Sequence, residues 1–98
     1  IDFFIDLRFE SKTYGKFGSL KLNETDNLSI LIPPGFGHGF SVLSENAKVL
    51  YMQNGIYKNN HELGIDPLSI DFDWKVKIPI VSERDSNLPD FKKNKVGV

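Results

Sequence analysis

Asp2-Phe3-Phe4-Ile5-Asp6-Leu7-Arg8-Phe9 decides the class of fold. Phe3, Ile5, Leu7 and Phe9 recur at period two and so share one face of an extended strand. The stretch opens the chain already in mid-pattern, which predicts an edge strand or one whose partner precedes it, and with it a fragment lacking N-terminal strands. Working outward, Ser11-Lys12-Thr13-Tyr14-Gly15-Lys16 is a turn, and Phe17 to Leu22 a second strand in which Gly18 marks a bulge or a close approach. Leu28 to Ile32 reads as a third strand, stopped by Pro33-Pro34-Gly35. Strands at Phe40–Leu43 and Ala47–Met52 follow, and Asn54-Gly55 is the strongest turn dipeptide. Ile70, Phe72 and Trp74 alternate with Asp71 and Asp73 as a sixth strand, and Ile78 to Val81 is an edge piece. Strands spaced eight to twelve residues apart predict an all-β sandwich or barrel. Residues 90–98, basic and unpatterned, are expected as a flexible tail.

Ninety-eight residues allow one domain over 1–98. Twelve Lys plus Arg against thirteen Asp plus Glu give a charge of −1, which removes the electrostatic case for nucleic acid or an anionic membrane. No apolar run is long enough to span a bilayer. The absence of cysteine excludes disulfides and thiolate metal sites and is compatible with a cytoplasmic protein.

Pro33-Pro34-Gly35-Phe36-Gly37-His38-Gly39-Phe40 is the most informative stretch for chemistry. His38 reads either as a satisfied structural histidine or as a ligand contact, the flanking glycines leaving room beside the ring. The spacing Pro-x-Gly-x-x-His resembles half of a cupin metal motif, but the chain adds only His61 and scattered carboxylates, so no cupin metal site is expected. Tyr51 lies in a run apolar on both faces, Val49 to Met52. It is a core tyrosine on spacing alone, or a proton carrier in a lumen. Tyr57 reads as a loop anchor and Glu62 as a surface carboxylate. Ser82-Glu83-Arg84-Asp85 is a solvated turn in which Ser82 or Asp85 caps a short helix, or a place where Asp85 orients an imidazole.

Together these pieces resemble the C-terminal half of the dTDP-4-dehydrorhamnose 3,5-epimerase family. The resemblance rests on Asp6-Leu7-Arg8 with Ser11 to Gly15, on Ile32 to Phe40 against Ile-Pro-x-Gly-Phe-x-His-Gly-Phe, on Val49-Leu50-Tyr51 with Tyr57, and on Ser82-Glu83-Arg84-Asp85. Lys12 stands for the family's Pro, Ile56 for the first Tyr of its Tyr-Tyr pair, Lys75 for a Pro and Arg84 for a Lys. The resemblance implies a cupin-like jelly roll, a homodimer, and epimerisation of a nucleotide-activated 4-keto-6-deoxy sugar in deoxysugar and surface-polysaccharide biosynthesis. It implies Tyr51 as catalytic acid and Asp85 as the partner of a His base. That base lies in a Gly-Leu-His segment which this chain lacks, so the 98 residues alone are expected to be inactive. Substrate contacts fall to His38, Glu62 and Arg84, with Tyr57 on the nucleotide side. No metal or other cofactor is implied, because proton transfer beside a ketone needs only a base, and a phenol that is protonated at neutral pH to return the proton. The rivals are a sugar-nucleotide 3,4-ketoisomerase and a non-catalytic sugar-nucleotide-binding module.

Overall fold

The structure is a computed structural model and describes residues 1–56, 58 and 62–98. It is mostly β and irregular, with little helix. Three strands, β1 (Asp2–Asp6), β2 (Phe17–Leu20) and β3 (Phe36–Phe40), form an antiparallel sheet in the order β2-β1-β3. A 3-10 turn at Pro67–Ser69 and a one-turn helix α1 (Glu83–Ser86) complete the regular elements.

β1 is central because its alternation serves two faces. Phe3 and Ile5 point to a core that also holds Leu7 and Ile70, with Ile65, Phe72, Trp74 and Phe91 packed against it. The rings of Phe72 and Trp74 lie 4.8 and 5.0 Å from Phe3, within the range of favourable aromatic pairs. Asp2 and Phe4 point to the opposite face. Phe4 stands opposite Gly18 on β2 and opposite His38 on β3. The ladder passes Gly18 without a bulge. A Cβ there would come within 2.8 Å of the Phe4 ring, so the glycine is a close-approach position.

β3 starts four residues earlier than the sequence pattern indicates and takes His38 into the sheet. Gly37 and Gly39 pair with Ile5 and Phe3. They make space for the large core side chains of β1, where the sequence reading had them leave room beside the His38 ring. The turn itself sits at Gly35, whose φ of +88° suits glycine and whose carbonyl accepts from the Leu7 N–H at 3.0 Å.

β1 ends at a buried carboxylate. Asp6 is 1% exposed and accepts from the Arg8 backbone N–H, Arg8 Nε and Nη2, Ser11 Oγ and Thr13 Oγ1, at 2.6 to 3.0 Å. The Arg8 guanidinium, then the Ser11 and Thr13 hydroxyls, hold its carboxyl well below the usual carboxylate range against the opposing effect of burial.

Three expectations need correction. The segments 28–32 and 47–52 form no strand and lie open, with Leu31, Leu50 and Met52 at least 93% exposed. A strand forms only against a neighbouring strand edge and is buried on both faces only under packing layers on both, and none of the described strands pairs with these segments. The segment 70–74 keeps its predicted facing, Ile70, Phe72 and Trp74 toward the core, but spends its polar backbone locally. Phe72 N–H donates to the Ile70 carbonyl at 2.8 Å and Lys75 N–H to Asp73 Oδ1 at 2.8 Å, which leaves no ladder. The end of the chain is docked where a flexible tail was expected. Val98 exchanges hydrogen bonds with Leu7 and Phe9 at 2.8 and 2.9 Å, Tyr14 Oη donates to the Val96 carbonyl at 2.6 Å, and Phe91 packs on the core. Backbone groups of the β1 extension that would otherwise be orphaned draw it in.

Candidate functional site

β3 is an edge strand of the described sheet, and an open cavity of about 910 Å³ runs along it. Running past an edge, the cavity takes in residues from both faces of the sheet. His38, Tyr51, Glu62, Arg84 and Asp85 all line it, so every described residue singled out in the sequence as a site candidate comes to one place. Tyr57 lies outside the described residues. Trp74, Leu68, Val76 and Leu88 supply apolar wall.

Each polar group arrives for a local reason. Ser82 is the N-cap of α1: its Oγ accepts from the Asp85 N–H at 3.1 Å, which makes one turn of helix out of a short charged run. That turn presents Arg84 and Asp85 side by side. Arg84 Nη2 donates to Glu62 Oε2 at 2.8 Å, and Nη1 reaches Asp85 Oδ1 at 3.4 Å, the weaker contact. Arg84 is the one Lys or Arg in the described lining and sits against two carboxylates, so its charge is already spoken for. Among the described residues no imidazole meets Asp85, whose carboxylate is engaged by Arg84 alone.

Tyr51 is 66% exposed, which overturns the core reading that its spacing favoured and leaves its phenol at the open cavity. His38 has a partner that sequence reasoning missed. Its Nε2 lies 2.8 Å from Asp2 Oδ1, across 36 residues of chain. The antiparallel register sets Asp2 opposite Phe40, which makes Asp2 and His38 diagonal neighbours on one face. Pairing the first strand with the His-Gly-Phe segment would have revealed it. Trp74 closes the apolar wall, held by Nε1–H donating to the Pro67 carbonyl at 3.0 Å. No three described His, Asp or Glu side chains are grouped to hold a metal ion.

A small antiparallel sheet with an imidazole on its edge strand, and a phenol and an Arg–carboxylate cluster brought beside it by non-strand segments around an open cavity, places the chain among the β-proteins. The comparisons say which. The family model described as dTDP-4-dehydrorhamnose 3,5-epimerase matches residues 1–93, and the chain belongs to that family. A dTDP-4-dehydrorhamnose 3,5-epimerase of Shigella flexneri is 38% identical over 92% of this chain and 51% of its own length. A dTDP-4-dehydrorhamnose 3-epimerase of Streptomyces niveus is 33% identical over 88% of this chain and 42% of its own. The 3,5-epimerase of Methanothermobacter thermautotrophicus is 34% identical, covering 97% and 54%. The chain thus spans about half the length of the curated relatives it matches. No solved structure matches it.

Proposed function

We propose that this chain carries the acid-bearing part of an epimerase acting on a nucleotide-activated 4-keto-6-deoxy sugar of the dTDP-4-dehydrorhamnose type, in deoxysugar biosynthesis. The observation that carries the reading is the convergence of His38, Tyr51, Glu62, Arg84 and Asp85 on one cavity in a chain of this family.

The chemistry follows from the ketone. Protons on the carbons beside it are acidic once the enolate is stabilised, so inversion requires a base on one face and an acid on the other. Tyr51, free at the cavity, is the acid. Asp85, on its helical turn, orients the imidazole base, which is contributed from outside the described residues. Arg84, balanced by Glu62, and His38 contact the sugar, with Tyr57 on the nucleotide side. Such proton transfer calls for no metal or redox cofactor. The cations that Arg84 cannot supply alone come from the same additional segment. On this reading the sheet is part of a cupin-like jelly roll, and the working enzyme is a cytoplasmic homodimer.

A non-catalytic sugar-nucleotide-binding module is favoured by one observation, the lack of an imidazole at Asp85 among the described residues. One experiment separates the two. Deuterium incorporation from solvent at carbons 3 and 5 of dTDP-4-keto-6-deoxyglucose is followed by NMR, with the chain alone and with the N-terminal half of the Shigella flexneri relative added. Exchange only in the mixture, falling about 10²–10⁴-fold in Tyr51→Phe and clearly in Asp85→Asn, is the expected result. Binding without exchange in the mixture returns the module reading. Exchange by the chain alone shows that the base has been misassigned.

A further inference from the structure

Asp2 has no place in the chemistry above, yet it forms with His38 an ionisable pair built on two paired strands. Asp2 does not line the cavity; it stands behind the imidazole, its side chain 17% exposed against 34% for His38. Both are set by the same β1–β3 register, and both strands are anchored by the buried core face, so the pair rests on regular structure. The Phe40 ring, 6.5 Å from the imidazole centroid, restricts the ring from the neighbouring position. A carboxylate accepts hydrogen bonds and cannot donate them. With Nε2 at 2.8 Å from Asp2 Oδ1, the proton of a neutral His38 is therefore on Nε2. Nδ1 is left with its lone pair and has no hydrogen-bond partner among the described residues.

We propose that Asp2 is a positioning residue that locks His38 in the Nε2–H tautomer, so that the imidazole meets a bound sugar as a hydrogen-bond acceptor, through Nδ1, for one of its hydroxyls. The identity of the ligand rests on the epimerase reading; the lock does not. The locked ring discriminates between donors and acceptors: a hydroxyl that can turn its proton toward Nδ1 is accepted, whereas a carbonyl oxygen at the same place meets lone-pair repulsion. His38 thereby contributes to the orientation of the sugar ring rather than to polarisation of its ketone.

The test is two-bond 1H–15N correlation on the 15N-labelled chain, with His38 assigned by its loss in His38→Gln. The wild-type chain is expected to give the Nε2–H pattern. Asp2→Asn, whose amide both donates and accepts, should give a mixture of tautomers, and Asp2→Glu should restore the single pattern. Unchanged Ile5 and Leu7 methyl resonances in the variants confirm that the sheet is intact. With the unlabelled N-terminal half of the Shigella flexneri relative added, titration with dTDP-4-keto-6-deoxyglucose should move Nδ1 in the wild type, with about tenfold weaker binding in Asp2→Asn. An Nδ1–H pattern in the wild type, or the same single tautomer in Asp2→Asn, overturns the proposal. The expected tautomers with no response to the sugar nucleotide uphold the lock and overturn the epimerase reading of the cavity.

Discussion

Asp6 is the residue on which the local geometry depends most. Five donors converge on one buried carboxylate, and the other acceptors beside them are the Ser11 and Thr13 hydroxyls, which are themselves among the donors. Its carboxyl is held well below the ordinary range, chiefly by Arg8, whereas in the unfolded chain it takes up a proton near pH 4. Stability from Asp6 is therefore fully present above about pH 4 and is lost as the pH falls toward the depressed folded value. Urea melts between pH 6 and pH 2.5 should show the wild-type midpoint falling with acidity. Asp6→Asn should start lower at pH 6 and vary less; an equal slope in both would remove Asp6 as the cause. Asp73 is also depressed, by exposed Lys75, and solvent screening makes its share small. The sequence displayed Asp6, Arg8, Ser11 and Thr13 within eight positions but gave no sign that they close on one another. Hydrogen-bond convergence depends on the turn that Gly15 completes, and side-chain spacing alone does not encode it. Asp2 was hidden for a related reason: its relation to His38 exists only once a register joins residues 36 apart in sequence.

At the level of elements, what the sequence made legible was facing rather than pairing. Phe3, Ile5, Ile70, Phe72 and Trp74 reach the core as their alternation indicates, although 70–74 is not a strand. Apolar alternation reports which side seeks burial, whereas a ladder also requires a free neighbouring edge. The short helix was visible as Ser82 ahead of acidic residues, the pattern of an N-cap. β3 was misplaced because Gly37 and Gly39 look like room left beside the His38 ring until Ile5 and Phe3 are laid across them. Their role gives a sharp prediction. A Cβ at Gly37 would lie 2.9 Å from Ile5 Cγ2 and 3.0 Å from Leu7 Cδ1, both buried. Gly37→Val should overpack this point and cost about 1–3 kcal/mol in chemical denaturation, and it should disturb the His38 resonances as β3 shifts. Gly37→Val within about 0.5 kcal/mol of wild type would show that the core yields there.

The molecule as a whole exposes more surface than its mass warrants. A compact protein of this size presents about 5,700 Å², whereas this chain presents 8272 Å². Large apolar side chains stand open in it: Leu31, Leu50, Met52, Ile56, Ile78 and Ile80 are each at least 84% exposed. An excess of roughly 2,600 Å² is of the order that an obligate interface buries. The isolated chain should therefore associate: sedimentation equilibrium across the micromolar range should give a mass above 11.1 kDa. Adding the N-terminal half of a relative should replace self-association with a defined complex. A clean monomer that does not bind a hydrophobic dye would mean that these segments find cover within the chain.

The polar knot at the end of β1 also bears on how such genes can be recombined. The carboxylate sits at position 6 and its donors at 8, 11 and 13, so a crossover anywhere between Asp6 and Thr13 divides acceptor from donors between two parents. Joining this chain inside those positions to a parent that lacks the carboxylate or its donors should therefore give chimaeras that do not fold, whereas breakpoints before Asp6 or after Thr13 should be tolerated. Those eight residues will be inherited as one block.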